Sequence, residues 1–257
     1  MNRIDQLFAN KNSKVLSIYF TAGFPSLDDT MPIMEAIEEA GADIIEIGIP
    51  YSDPIADGPT IQESNKIALD NGMSLAKLFD QIQNMRQTVH LPVILMGYLN
   101  PIMQFGITAF CKKCQEVGVD GLIVPDLPMQ QYLEEYKETF DQYGIKNTFL
   151  ISPQTSEQRI RLIDEHTNGF IYMVSSHGVT GAKQGITDHQ MQYFERVAAM
   201  NLKNPRLIGF GISDSESFNW ASKYAHGAII GSAFIKKIEQ SGNIKETIKT
   251  YIQEVIH

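Results

Sequence analysis

The sequence predicts a (β/α)8 barrel, on three observations. Eight short apolar runs alternate with amphipathic helical stretches from one end of the chain to the other, the pattern of a parallel α/β fold. They occupy 257 residues, close to the length one such barrel takes. The turn after the first run reads TAGFPS, so the GxGxxG of an open, dinucleotide-binding sheet is missing. No linker or low-complexity segment interrupts the alternation, and residues 1–257 are read as one domain.

The elements follow in order. Ile4, Leu7 and Phe8 are spaced for a short N-terminal amphipathic helix. Residues 15–21 (VLSIYFT) form the first predicted strand and 30–40 a helix. The second strand spans 44–49, where Ile45, Ile47 and Ile49 alternate with Ile44, Glu46 and Gly48. Helices are expected over 62–70 and 74–88, then a strand at 92–97 (PVILMG) and a helix at 108–117. A strand at 121–124 precedes a helix over 129–143. The remaining strands fall at 147–151, 170–174, 207–210 and 228–230, with helices at 157–166, 190–200 and 216–224 and helical material to the C-terminus.

Composition narrows the function. Hydrophobic residues make up 43% and charged residues 20%, ordinary for a globular protein. A net charge of −9 argues against a nucleic-acid or anionic-membrane partner. An anionic ligand therefore needs local donors. The start, MNRIDQLFANKNSK, is polar, unlike a signal peptide, and no apolar run reaches the roughly 18 residues of a membrane span; a cytoplasmic location is expected. Cys111 and Cys114 form a lone CxxC in a helical stretch, read as reduced thiols at the core rather than half a zinc site.

The stretch IIEIGIPYSDPIADGPTIQ, residues 44–62, carries the strongest chemical signal. A carboxylate projects from a buried strand, and a proline-rich loop with Asp53 and Asp57 follows. Burial raises a carboxyl pKa, which suits general acid chemistry near neutral pH. In a barrel, the site lies at the C-terminal ends of the strands. That rule selects Tyr19, Thr21, Glu46, Tyr98, Asn100, Asp126, Ser152, Tyr172, Ser175, Gly209, Gly211, Gly231 and Ser232. The loops at 50–59 and 175–189 are the longest at that rim and read as lids.

GFGIS at 209–213 and IIGSAF at 229–234 follow the last two strands, where barrels often hold phosphate on backbone N–H groups. SSHGVTGAKQG, with Gly178, Gly181 and Gly185, is placed to close over them. The plainer reading of these glycines is tight turns. Lysine and histidine placement removes other mechanisms. Lys146 lies at the start of its strand, the wrong end for a Schiff base. Only His177 of the six histidines lies on the active rim, so no metal set is expected. Carboxylates and tyrosines remain. Each has a structural alternative: Glu46 as a satisfied core carboxylate, Asp53 and Asp57 as turn formers, Asp126 as a loop tie, and Tyr172 as a core tyrosine.

Taken together, EIGIPYSDPIADGPTIQ, MGYLNP, VPDLP, SSHGVTGAKQG, GFGIS and GSAFIKKI closely resemble the tryptophan synthase alpha subunit family, in order and across nearly the whole chain. The resemblance implies a barrel that splits indole-3-glycerol phosphate into indole and glyceraldehyde 3-phosphate. It implies Glu46 as general acid/base and Asp57 as acceptor of the indole N–H. Tyr172 would line the site, and Gly181, Gly211, Gly231 and Ser232 would bind phosphate. Tyr19, Tyr98, Ile123 and Ile151 are expected as indole walls. No cofactor is expected in this chain; pyridoxal phosphate is expected in a partner beta subunit, in an alpha2beta2 tetramer. Ser176-His177 departs from the Arg-Ser common before GVTG in the family. A retro-aldol split needs no Schiff base, because protonated indole is its own electron sink. Two readings stay beside this one: a stand-alone indole-releasing lyase, and an idle barrel that activates a beta subunit. An indole-glycerol-phosphate synthase would need strand-end lysines, and a sugar-phosphate epimerase a metal.

Overall fold

The computed structural model describes residues 1–174, 187–209, 211–239 and 241–257. Eight strands close on themselves in chain order: β1 (Val15–Thr21), β2 (Ile44–Gly48), β3 (Val93–Met96), β4 (Gly121–Ile123), β5 (Lys146–Ile151), β6 (Ile171–Val174), β7 (Arg206–Gly209) and β8 (Gly227–Ile230). Every neighbouring pair is parallel, including β8 with β1. Parallel pairing forces each connection to return outside the sheet, which places the connecting helices on the outer face, while the N-terminal helix, ahead of β1, closes one end of the barrel. The helices are α1 (Arg3–Asn10), α2 (Thr30–Ala40), α3 (Pro59–Asp70), α4 (Leu75–Ile82), α5 (Leu99–Phe105), α6 (Ile107–Val117), α7 (Met129–Gln131), α8 (Lys137–Gln142), α9 (Glu157–His166), α10 (Asp188–Ala199), α11 (Ser215–Ala221), α12 (Ser232–Glu239) and α13 (Ile244–Ile256). Among the described residues no helix is long and apolar enough to cross a membrane.

Register decides which side chains enter the barrel, since in-register neighbours share a face. Tyr19 pairs with Glu46 and Glu46 with Ile94. Met96 pairs with Ile123, Leu150 with Tyr172, and Tyr172 with Leu207. All of these lie on the inner face. The alternate face packs outward: Phe149 meets Tyr132 with ring centroids 5.3 Å apart, and Ile45, Ile47, Val93 and Leu95 are fully buried beneath the helices.

The N-terminal end of the barrel is plugged by α1. Ile4, 1% exposed, reaches so far in that a Cβ on Gly121 would sit 2.9 Å from its Cδ1. Asp120 ties the plug down. It accepts from Arg3 at 3.1 Å, from Arg86 at 2.6 Å and from the Val93 N–H at 2.9 Å. Lys146 pairs with Asp5 of α1 at 3.0 Å, on this closed end and away from the strands' C-terminal rim. Cys111 and Cys114 are free and buried on α6, and burial pushes the Cys111 thiol up to about 12.

The barrel seam makes a stability prediction. A Cβ on Gly227 would lie 1.9 Å from the Val15 carbonyl oxygen, and Val15 is itself held by its N–H to the His226 carbonyl at 2.9 Å. Backbone cannot rotate away as a side chain can. Gly227→Ala is therefore expected to cost about 3 kcal/mol or more, read as a lowered thermal midpoint.

Several boundaries depart from the sequence reading. Helix α3 begins at Pro59, three residues early, because Gly58 and Pro59 supply the cap and first position. The expected 74–88 helix stops at Ile82 and resumes as a 3-10 turn at Met85–Gln87. The 129–143 helix contains a π turn at Tyr132–Tyr136, where Tyr132 packs inward against Phe140 and Phe149. Helix α5 was not expected from LNPIMQF. Its start is stabilised by Asp126, whose Oδ1 accepts from the Leu99 N–H at 2.9 Å. Asp126 is thus a loop tie.

Candidate active site

Strand β2 delivers Glu46 to the inner face, where it is 0% exposed. The Ser17 hydroxyl of β1 donates to Glu46 Oε1 at 2.6 Å. Oε2 has no hydrogen-bond partner among the described residues. Burial pushes the carboxyl up to about 7, against the Ser17 bond, which favours the charged form. Glu46 is therefore divided between acid and base at neutral pH.

Two tyrosines flank it. Tyr19 shares its register position on β1, and Tyr172 projects from β6 on the same inner face. Each needs a glycine beside it. A Cβ on Gly48 would lie 2.1 Å from the Tyr19 hydroxyl oxygen, and one on Gly209 would lie 2.2 Å from that of Tyr172. Burial raises both phenols well above their ordinary value, and nearby carboxylates push the same way. Both stay neutral.

Asp57 comes from the loop between β2 and α3. The Tyr98 hydroxyl donates to its Oδ2 at 2.8 Å and accepts from the Ala56 N–H at 2.9 Å. The Tyr98 ring packs on Tyr51 with centroids 5.2 Å apart, and Asn100 donates to the Tyr51 hydroxyl at 3.2 Å. Tyr98 thus orients Asp57. Burial raises the Asp57 carboxyl, and the Tyr98 bond opposes the rise. Asp53, by contrast, is exposed and bonded to its neighbour Ser52 at 2.5 Å.

Above this floor lies a cavity of about 400 Å³. Tyr19, Asp57, Tyr172, Met96, Ile61 and Ile229 form its walls. Gly211 and Ser213 after β7, and Gly231 and Ser232 where α12 begins, complete the lining. Gly211 has φ +80° with open space where a Cβ would stand, a conformation glycine adopts freely. The N–H groups of the first turn of α12 lack helical partners and favour an anion. Lys236, one turn along α12 from Ser232, also lines the cavity.

The fold brings Tyr19, Asp57, Tyr172, Gly211, Gly231 and Ser232 to one cavity, with Glu46 buried beneath it. Ile123 is on the inner face by its pairing with Met96. Ile151 pairs with Met173, one step off the face of Tyr172, and its carbonyl accepts from the Tyr193 hydroxyl at 3.1 Å. Leu150 takes the Tyr172 face there. Gly181, with Ser175, Ser176, His177, Gly178 and Gly185, lies outside the described residues. Sequence reasoning passed over Ser17 and Lys236. The signals were present: Ser17 is two residues before Tyr19 and so on its face, and Lys236 is four after Ser232. Among the described residues no three His, Cys, Asp or Glu side chains gather as a metal set.

Comparison with known proteins agrees with this geometry. The family model described as tryptophan synthase alpha chain matches residues 6–256. The tryptophan synthase alpha chain of Flavobacterium johnsoniae is 57% identical over 255 residues, covering 99% of this chain and 100% of that protein. The crystal structure of tryptophan synthase subunit alpha from Legionella pneumophila superposes with a TM-score of 0.89 at 32% identity, covering 100% of this chain and 97% of the other. The tryptophan synthase A-subunit from Pyrococcus furiosus gives 0.87 at 36% identity, over 96% and 99%. With a closed barrel, a buried carboxyl on β2 and glycine-bearing turns after β7 and β8, and with the family model matching residues 6–256 and a relative 57% identical over 255 residues, the chain belongs to the tryptophan synthase alpha chain family.

Proposed function

We propose that the cavity splits indole-3-glycerol phosphate, the reaction of this lyase family in tryptophan biosynthesis, with Glu46 as acid/base and Asp57 as its electrostatic partner. The observation that carries the assignment is the pair of carboxyls in different environments: one fully buried and half neutral near pH 7, the other held by Tyr98 in the cavity wall. Environments that differ in this way separate acid from stabiliser.

Protonated Glu46 gives its proton to the indole carbon that bears the glycerol chain. The ring nitrogen becomes positive, and Asp57, accepting its N–H, stabilises that charge. Glu46, now a carboxylate, takes the proton from the adjacent hydroxyl. The carbon–carbon bond breaks, its electron pair restores the indole, and the hydroxyl carbon becomes the aldehyde. Glu46 ends protonated, as it began. The turns at Gly211 and Gly231–Ser232 would hold the phosphate on backbone N–H groups. Gly181, from the loop after β6, would add to them. Tyr19, Tyr172 and Ile123 remain the proposed indole surround; on β5 the inner-face residue is Leu150 rather than the expected Ile151, and Tyr98 acts through Asp57.

Lys236 supplies positive charge beside that cradle in a chain of net charge −9. Lys236→Met is expected to raise KM for the phosphate substrate about tenfold, the size of one charge-assisted contact, with little change in kcat. Steady-state kinetics across substrate concentration check it.

The family works with a beta subunit. The exposed apolar side chains Ile55 and Met103, 89% and 51% exposed, lie on the loop after β2 and on α5. Both segments are at the C-terminal rim and linked through Tyr51 and Asn100; this supports a partner there. An alpha2beta2 assembly, pyridoxal phosphate in the beta subunit with no cofactor in this chain, and a cytoplasmic location complete the proposal. Indole release by the purified chain, with and without a beta subunit, tests it. Weak release that rises sharply with the partner is the expected result. Strong release by the chain alone would favour a stand-alone lyase, and none from a folded sample in either condition would overturn the substrate or the roles of Glu46 and Asp57.

A further inference from the structure

We infer that Ser17 is the positioning residue of Glu46: it fixes Oε1 and leaves Oε2 as the oxygen that passes the proton to and from the substrate. This deepens the acid/base assignment above and rests on it.

The argument starts from the two oxygens. Both residues are fully buried on the inner face, at 0% exposure. Oε1 accepts the Ser17 hydroxyl at 2.6 Å, and Oε2 is unpartnered among the described residues. A buried polar atom without a partner is costly. The cost is tolerated where the atom has work to do with a ligand. A carboxylic acid bonded at one oxygen by a donor carries its own proton on the other, because a donor already occupies the first. With the Ser17 hydroxyl as donor to Oε1, the proton of the acid is assigned to the unpartnered Oε2. Proton transfer is sensitive to such placement, since the acid must stand within hydrogen-bond reach of the reacting carbon.

Ser17 also sets how readily Glu46 ionises. A hydroxyl donated to Oε1 favours the carboxylate over the acid. The other titratable groups coupled to Glu46 are Tyr19 on β1 and Tyr172 on β6; Asp57, in the loop after β2, acts on those two tyrosines. The tyrosines stay neutral, and Asp57 is unaltered by a change at Ser17. On β3 and β8 the inner-face neighbours are Ile94 and Ile229, which do not titrate. Removing the Ser17 hydroxyl therefore acts on Glu46 in one direction, toward the protonated acid.

The test is the pH profile of kcat/KM for indole release, with Ser17→Ala and the isosteric pair Ser17→Thr and Ser17→Val. The alkaline limb, where the acid loses its proton, is expected to move up by about one pH unit in the Ala and Val variants, while kcat falls. Thr, which keeps the hydroxyl, is expected to keep the wild-type limb. A merely structural role would lower activity at every pH and leave the limb in place. The carboxyl stretch of Glu46, followed by difference infrared spectroscopy against Glu46→Gln, gives the same titration without turnover. An unmoved limb and an unmoved infrared titration in Ser17→Ala overturn the inference. If Ser17→Ala does not fold, the Thr and Val pair decides by the same comparison. If Glu46→Gln itself retains full activity, the acid/base assignment fails instead, and the two failures are told apart.

Discussion

Glu46→Gln is expected to lower indole release by about 10³-fold or more while the barrel stays folded. The magnitude follows from general acid–base catalysis, worth about 10²–10⁴-fold per transfer, and Glu46 is proposed for two transfers in one turnover. The glutamine keeps an acceptor for the Ser17 hydroxyl, now 2.6 Å from Oε1. It therefore preserves packing and removes only the exchangeable proton. Circular dichroism and indole assays on the same sample separate the two.

The same variant has a stability signature. Folded Glu46 titrates near 7, against about 4.3 in an unfolded chain. Below pH 4 both states are protonated and the difference contributes nothing. As pH rises the unfolded chain ionises first, so stability falls until pH passes 7, and then levels. The fall from this group is roughly 4 kcal/mol. Glu46→Gln is expected to lose that component, so its thermal midpoint falls less between pH 5 and pH 8 than the wild type's. Equal slopes in both proteins would mean that Glu46 is not a buried acid.

Asp57→Asn is expected to lower kcat by about 10²-fold, the cost of one preorganised electrostatic group. KM changes less, because the turns proposed to hold the phosphate, at Gly211 and Gly231–Ser232, are other residues of the cavity's lining. Asparagine still accepts from Tyr98 at the position now 2.8 Å away, so the loop keeps its anchor. What is lost is the negative charge proposed to stabilise the indole nitrogen. Tyr98→Phe should reproduce part of the defect, since Asp57 then loses its orienting donor. A wild-type kcat in Asp57→Asn, with substrate bound normally, would remove Asp57 from the mechanism.

Strand identity and order were legible because each strand is a short apolar run set off by polar or glycine-bearing turns. The period-two pattern around Glu46 placed that carboxylate opposite Ile45 and Ile47, and the barrel rule then put it at the active end. Capping could be only partly anticipated. Helix α5 depends on Asp126, which is remote in sequence and adjacent only once β3 and β4 pair. The π turn in YLEEY accompanies Tyr132 wedged between two phenylalanines, a packing fact with no local signature.

The site divides along the same line. By itself the sequence determined the barrel, the residue types of the chemistry, and the family, because each is written in local composition, spacing and motif. Only the tertiary structure decided that Ser17 holds one oxygen of Glu46, that Tyr98 holds Asp57, and that Lys236 lines the same cavity as Gly211, Gly231 and Ser232. It also decided that Gly48 and Gly209 are empty so that two tyrosines can fill the space. Closing eight strands into a ring fixes which residues from distant parts of the chain share a face and a height. That register is set by the sheet as a whole, not by any one strand.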